Sequence, residues 1–405
     1  MTTAEFIREH REQDVRQLAL QASRFPDVDM PYALDQIRGW QIARRKLPAW
    51  AACDDIIFPP HLSMEQCSSQ ATAQYKSELA IVWVNRVRGG VEEDISSMTD
   101  LTGGFGVDFS CMAGFFDEAT YVERNEQLCR IVEHNLPRLG VKNSTVVCAD
   151  GVDYLANLQP QTMLFLDPAR RDEHGAKTVM LADCTPNVVQ LLPQLLEKSR
   201  FTMLKLSPML DWHKAVEDMR GTVCEVHIVS VDGECKELLL VLSDEIEEEL
   251  KVYCADLKTD DDRNVFVYEP YAPCFITHPT FNIYNSKYLY EPNASIMKAG
   301  CFDQLTAAYD ASPVSSNSHL FLSEAPIDDF PGRSFVVERV TTMNKRELRM
   351  ALSGVTKANI ATRNFPLSVA ELRRRLKLKD GGDVYIFATT TAEDEHVLLI
   401  CRKYS

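Results

Sequence analysis

The sequence predicts an α/β protein: a mostly parallel sheet covered by helices on both faces, with a helical region before it and a smaller α+β domain after it. Three observations carry this. Between about Ser77 and Glu245, apolar strand-like runs and helical runs alternate every 20–30 residues or so. Four of those runs end in order on acidic residues, at Asp100, Glu123, Asp150 and Asp167. Charge is also unevenly placed. The 405-residue chain has a net charge of −16, yet residues 332–405 hold 14 Lys and Arg against 8 Asp and Glu. An acidic body with a basic tail domain needs a reason.

Residues 1–76 read as helical. Thr2 and Glu5 have the spacing of a capping box, and apolar residues recur through Phe6, Ile7, Val15, Leu18 and Leu20. A second helix is predicted over Pro31–Lys46. The polar segment 65–76 reads either as a serine-capped helix start or as a flap over a ligand. Residues 77–245 form the sheet domain, with strands ending at Asp100, Glu123, Cys148, Asp167 and Lys205. Helices are predicted over Val107–Phe116, Asn125–Leu139, Gly151–Leu158 and Pro186–Ser199. Val223–Ser230 and Lys236–Leu242, joined through Asp232-Gly233, read as a closing antiparallel hairpin. Residues 255–331 read as a small α+β region with an aromatic cluster (Phe281, Tyr284, Tyr288, Tyr290) and one helix around Ala294–Tyr309. Residues 332–405 parse as strand, helix, strand, helix, strand, strand. Both helices open on capping-box spacing, Asn344 with Glu347 and Ser368 with Glu371, and Gly381-Gly382 is expected to end the second.

Asp100-Leu101-Thr102-Gly103-Gly104-Phe105-Gly106 is the central motif. A strand that ends in a carboxylate and opens through glycines into a helix lets backbone approach a nucleotide-like ligand. Such a turn serves nicotinamide, flavin and S-adenosylmethionine alike. The dehydrogenase pattern G-x-G-x-x-G does not fit Gly103, Gly104 and Gly106, and four carboxylate-tipped strands with a closing antiparallel hairpin fit a Rossmann-like class I S-adenosylmethionine-dependent methyltransferase sheet. On that reading the three glycines bracket the methionine end of the cofactor, with Asp100 and Thr102 in the same loop. Glu123, with Arg124 beside it, takes the ribose hydroxyls. Asp150 accepts from the adenine amine, next to the Gly151 backbone.

Asp167-Pro168-Ala169-Arg170 falls where amine-modifying methyltransferases carry Asp/Asn-Pro-Pro-aromatic, so Asp167, Pro168 and Arg170 are the acceptor candidates. Ala169 and Arg170 depart from that pattern. Arg170 either stacks its guanidinium on the acceptor base, or with Arg171 contacts phosphate or pairs with carboxylates such as Asp172. Lys205, at the fifth strand end, joins the catalytic set, and His213 is either a base or a solvated helix-start residue. No cysteine lies in 166–171 or 205–208, which disfavours a covalent cysteine route. The twelve cysteines are scattered singly and the nine histidines are dispersed, so neither a metal site nor a disulfide framework is expected. No apolar run approaches 18 residues, and Glu5, Arg8, Glu9 and Arg11 argue against a signal peptide. A cytoplasmic protein without membrane contact is therefore expected.

Asp100–Gly106 and Leu166–Arg171, together with Thr362-Arg363-Asn364-Phe365-Pro366 and Lys379-Asp380-Gly381-Gly382-Asp383, resemble a bacterial family typical of Bacteroides relatives. Its members join a class I methyltransferase to a ferredoxin-like piece and a C-terminal THUMP-like domain. The resemblance implies an RNA methyltransferase that uses S-adenosyl-L-methionine and contacts tRNA or rRNA through the basic 332–405 domain. The expected reaction is methylation of a base nitrogen such as guanine N2. The alternatives are a small-molecule or protein methyltransferase, or a non-catalytic RNA-binding factor on the same fold.

Overall fold

The computed structural model describes residues 1–88, 95–169, 180–245, 248–258, 263–274 and 283–404. The chain forms two compact units, Met1–His227 with Glu237–Leu250, and Ile228–Lys236 with Lys251–Ser405.

The first unit begins with six helices: α1 (Thr3–His10), α2 (Val15–Leu20), α3 (Met30–Lys46), α4 (Pro48–Ala52), α5 (His61–Gln66) and α6 (Gln70–Arg88). The Thr2–Glu5 capping box closes as the spacing predicts. Two small cores hold these helices. Phe6, Leu18, Ala33 and Ile37 form one, and the other joins Leu47, Trp50, Phe58 and Met64 to Phe105 of the glycine turn. The Trp50 and Phe105 rings lie 4.7 Å apart. Fully buried Asn135 pairs its side chain with both backbone groups of Ile57, at 2.9 and 2.8 Å. The helical region therefore packs on the glycine turn itself, and α6 runs without a break through residue 76.

The sheet elements follow as β1 (Ser97–Asp100), α7 (Val107–Ala113), β2 (Glu118–Glu123), α8 (Glu126–Asn135), β3 (Ser144–Cys148), α9 (Gly151–Asn157), β4 (Gln161–Leu166), α10 (Val188–Lys198), β5 (Ser199–Leu206), α11 (Trp212–Asp218), β6 (Val223–Val231) and β7 (Glu234–Leu242). Strand order is β3-β2-β1-β4-β5-β7-β6. The first five strands are parallel, and β7 runs antiparallel to β5. Residues of β4 and β5 are buried almost throughout, and those of β7 from Glu237 onward, as expected for strands covered on both faces. Order reverses between β1 and β4, where Asp100 pairs in register with Phe165. Such a reversal opens the crevice in which doubly wound sheets bind ligands.

The second unit contains an antiparallel pair, β8 (Lys251–Leu257) and β9 (Arg263–Tyr268). Beyond them come β10 (Tyr288–Pro292), α12 (Ala294–Ala299), α13 (Phe302–Tyr309), β11 (Ser312–Pro313), β12 (Phe321–Ser323), β13 (Gly332–Thr342), α14 (Lys345–Ala351), β14 (Asn359–Arg363), α15 (Val369–Leu376), β15 (Val384–Thr390) and β16 (His396–Lys403). Strands β10 to β16 make one sheet, in the order β11-β12-β10-β13-β16-β15-β14.

Three local details differ from the sequence expectation. The single helix around Ala294–Tyr309 is two, because Gly300 adopts φ +71° and caps α12. Lys377, not Gly381-Gly382, ends α15 by taking the left-handed conformation at φ 56°. Asn344 caps α14, but the Glu347 carboxylate bonds Thr342 rather than the cap backbone. The Ser368–Glu371 box forms as predicted. In the aromatic cluster Tyr290 is buried and Tyr284 exposed, while Phe281 lies outside the described residues.

Candidate active site

The glycine turn is shaped by Tyr121 on β2, a ring with no solvent exposure. Its hydroxyl donates to Gly104 O at 2.5 Å, and a Cβ on Gly103 would fall 2.1 Å from the ring. Gly103 therefore answers to the neighbouring strand. Gly104 (φ +55°) and Gly106 (φ +78°) need the left-handed region, and a Cβ on Gly104 would meet nothing closer than Thr102 O at 3.8 Å. That side of the turn is open.

Asp100 lies beneath the turn, 1% exposed, and accepts from Thr102 N at 2.9 Å. Burial holds its carboxyl well above the usual range; the Thr102 amide opposes this, and Asp108, Asp167 and Glu123 add to it. Among the described residues no cation pairs with Asp100. Thr102 Oγ1 accepts from Asp167 N at 2.6 Å, tying the ends of β1 and β4 together. Glu123 accepts from Gly104 N (3.0 Å) and Asn125 N (2.8 Å). Arg124 is exposed beside it. Asp150 caps α9 through Oδ1, which accepts from Val152 N and Asp153 N. Its Oδ2 has no partner among the described residues. Gly151 packs against backbone, since a Cβ there would stand 2.1 Å from Leu101 O. A buried carboxylate without a counter-ion, an open left-handed glycine and two further carboxylates at successive strand ends fit a cofactor with cationic, ribosyl and amino groups. S-adenosylmethionine is such a cofactor.

Asp167 follows the end of β4 with its side chain 41% exposed, and the Lys205 ammonium from β5 reaches its Oδ2 at 2.5 Å. Pro168 is buried, and Ala169 is pinned to Thr185 by reciprocal backbone bonds of 2.7 and 2.9 Å. Arg170 and Arg171 lie outside the described residues. Lys205 also stands 3.5 Å from Asp108 on α7. Burial favours its neutral amine, but Asp167, Asp108 and Glu237 outweigh this and hold the ammonium well above its usual pKa. His213 is the solvated helix-start residue, stacked on Trp212 at 3.6 Å with its side chain 63% exposed.

A Porphyromonas gingivalis W83 protein, solved as a candidate methyltransferase, is 30% identical to this chain, and the match covers 100% of this chain and 98% of that one with a TM-score of 0.84. The chain belongs to that protein's family. The sequence family described as THUMP domain-like matches residues 332–403, and the ferredoxin-like domain family matches 288–331. An S-adenosylmethionine-dependent methyltransferase from Agrobacterium tumefaciens (18% identity, 42% of this chain and 62% of that one, TM-score 0.32) is only slightly similar. So is an rRNA methylase from Streptococcus thermophilus (14%, 41% and 93%, TM-score 0.30). No curated protein sequence matches. The family is therefore that of class I methyltransferases carrying ferredoxin-like and THUMP-like sections.

Within this methyltransferase the structure adds residues that the motifs did not single out. Lys76 on α6 is completely buried and ion-paired to Glu237 on β7 and, at 3.2 Å, to Asp108. Ser68 Oγ stands 2.7 Å from Asp108 Oδ2 and 3.1 Å from Glu237 Oε1, and accepts from Lys76 at 3.3 Å. Burial alone would raise Asp108, but Lys76 and Lys205, with Ser68, hold it below the usual carboxylate value. Cys67 comes close enough for its thiol to feel Asp108 and Lys205, and burial pushes that thiol up, away from the thiolate. Among the described residues there is no metal-binding cluster and no helix long and apolar enough to cross a membrane.

In the THUMP-like section Arg374, Arg375, Lys377, Lys379 and Lys357 are exposed. Lys357 and Lys379 are bridge partners. Arg373 is committed to Ala358 O (3.0 Å) and Asp380 (2.6 Å), and Arg363 to buried Glu291 (2.8 Å). These two arginines are thus committed within the fold.

Proposed function

We propose that this protein methylates a base nitrogen of structured RNA, tRNA or rRNA, with the exocyclic N2 of guanine as the acceptor we favour. The observation that carries the reading is Asp167: a half-exposed carboxylate at the strand-order reversal, tied through Thr102 to the glycine turn and backed by a buried ammonium. S-adenosylmethionine supplies an electrophilic methyl on a sulfonium and leaves as a thioether. Asp100 and the turn 102–106 hold its methionine end, Glu123 with Arg124 the ribose, and Asp150 with Gly151 the adenine. Asp167 accepts an N–H of the acceptor amine, directs the lone pair at the methyl carbon, and takes the proton that nitrogen loses as the N–C bond forms. Pro168 fixes the backbone there, and Lys205 keeps the Asp167 oxygen in place. RNA as substrate is supported by the THUMP-like match and by the exposed cations of 357–379, on an otherwise acidic chain.

Mass spectrometry of nucleosides from total RNA, with and without the protein, tests this. The expected outcome is the loss of one methylated nucleoside. An unchanged nucleoside profile, with methyl groups found on protein or small molecules instead, contradicts it.

A further inference from the structure

The ion cluster under Asp167 is drawn from five separate parts of the chain. Ser68 precedes α6 and Lys76 lies on it, Asp108 comes from α7, Glu237 from β7, Lys205 from β5, and Asp167 follows β4. Glu237, Lys76, Asp108, Lys205 and Asp167 alternate in sign, each in contact with the next. Every member but Asp167 is buried. Fold stability alone does not call for this arrangement, because well-packed apolar side chains replace buried ion pairs without loss in many proteins. Three carboxylates against two ammoniums also leave one negative charge in excess, and the cluster's solvent-facing end is Asp167.

We infer that Lys76 is a positioning residue for the acceptor site: through Asp108 and Lys205 it fixes where the Asp167 carboxylate stands and adds positive charge behind it. The inference rests on the reading of Asp167 as the acceptor-binding group. Lys76 touches neither cofactor nor acceptor, and it acts on Asp167 through its neighbours. Burial raises the Asp167 carboxyl above the usual range; Lys205 from β5 opposes this, and Asp108 from α7 and Glu237 from β7 add to it. Lys76 from α6 stands behind them, and Asp100 from β1, itself close to Glu123, senses the Asp167 charge.

The two members of the relay farthest from Asp167, Lys76 and Glu237, predict shifts of opposite sign. Lys76→Met removes a positive charge and should raise the Asp167 titration midpoint. Glu237→Gln removes a negative charge while keeping the shape, and should lower it. Each shift should be roughly half a pH unit or more, as Coulomb interactions at a partly buried site give. Carbon-13 carboxyl NMR of aspartate-labelled protein, with Asp167→Asn identifying the resonance, reads the midpoint without turnover. In methyl-transfer assays kcat should fall by about tenfold in Lys76→Met, with cofactor affinity and the KM for RNA kept, and the acid limb should move with the NMR midpoint. The double variant Lys76→Met/Glu237→Gln restores the charge balance and should recover most of the rate. Should Lys76→Met fail to fold, Glu237→Gln still tests the sign. Midpoints that stay put or move the same way in both variants overturn the inference, as does additive loss in the double variant. An inactive parent protein overturns only the RNA-methylation reading, since the NMR titration decides the relay by itself.

Discussion

Two groups of cations behave oppositely in this protein. Lys76 and Lys205 are buried among carboxylates, with named partners at short range. Arg374, Arg375, Lys377, Lys379 and Lys357 project into solvent from the THUMP-like section. A buried ammonium is bound to one geometry, because leaving it unpaired in a low dielectric is costly, so it serves position. An exposed one is screened and mobile, contributes little to stability, and is available to a polyanion. Salt concentration and charge reversal should therefore separate the two groups.

The largest effect is expected at the buried group's outlet. Asp167→Ala should keep cofactor affinity and lose about 100-fold or more in methyl transfer, as follows when a positioning group is removed. Calorimetry beside a transfer assay checks this, and turnover within a few-fold of the parent would place the acceptor elsewhere.

Charge reversal on the exposed group should leave cofactor affinity alone. In Arg374→Glu/Arg375→Glu/Lys379→Glu, RNA binding should weaken strongly, and the slope of log affinity against log salt should flatten by roughly 0.7–0.9 for each phosphate no longer neutralised. Arg373 is left out because its bonds to Ala358 and Asp380 make it part of the fold. A filter-binding titration with the parent slope would show that this face does not touch RNA.

Smaller effects are expected at the cofactor carboxylates. Glu123→Ala and Asp150→Ala should each weaken S-adenosylmethionine binding by about 1–3 kcal/mol, the range for removing a hydrogen-bond partner. Calorimetry that finds the parent affinity in both variants removes these assignments.

The smallest effect concerns protons. Asp100 is held above the usual carboxylate range in the free protein, mainly by burial, and a cation bound beside it favours ionisation. Cofactor binding should therefore release a proton at pH values between the bound and free midpoints. Affinity should rise with pH up to the free midpoint and then level off. Calorimetry in buffers of different ionisation enthalpy measures the release, which Asp100→Asn should abolish.

Much of this was legible in the sequence because it is written locally. The strand-end carboxylates follow apolar runs, the glycines stand in one turn, and the boxes at Thr2 and Ser368 span four residues each. The relay is not local: Ser68 and Asp108 are 40 residues apart, and Lys76 and Glu237 are 161. A trace of it was present. Lys76 shares the helical stripe of Ala73, Ala80, Trp83 and Val87, all buried, and a charge on an apolar stripe implies a buried partner. Only the fold says which partner. The break at Gly300 was legible in principle, since glycine disfavours a helix interior and favours the left-handed cap, whereas Lys377 ordinarily continues a helix and gives no such signal.

The most direct test of the account is transfer of the labelled methyl of S-adenosylmethionine to total RNA from cells lacking the protein, followed by digestion and identification of the labelled nucleoside. The account predicts label in a single nucleoside, methylated on a base nitrogen, from the parent protein and almost none from Asp167→Ala. Label on a ribose oxygen or a base carbon, equal labelling by both proteins, or no label in any RNA would contradict it.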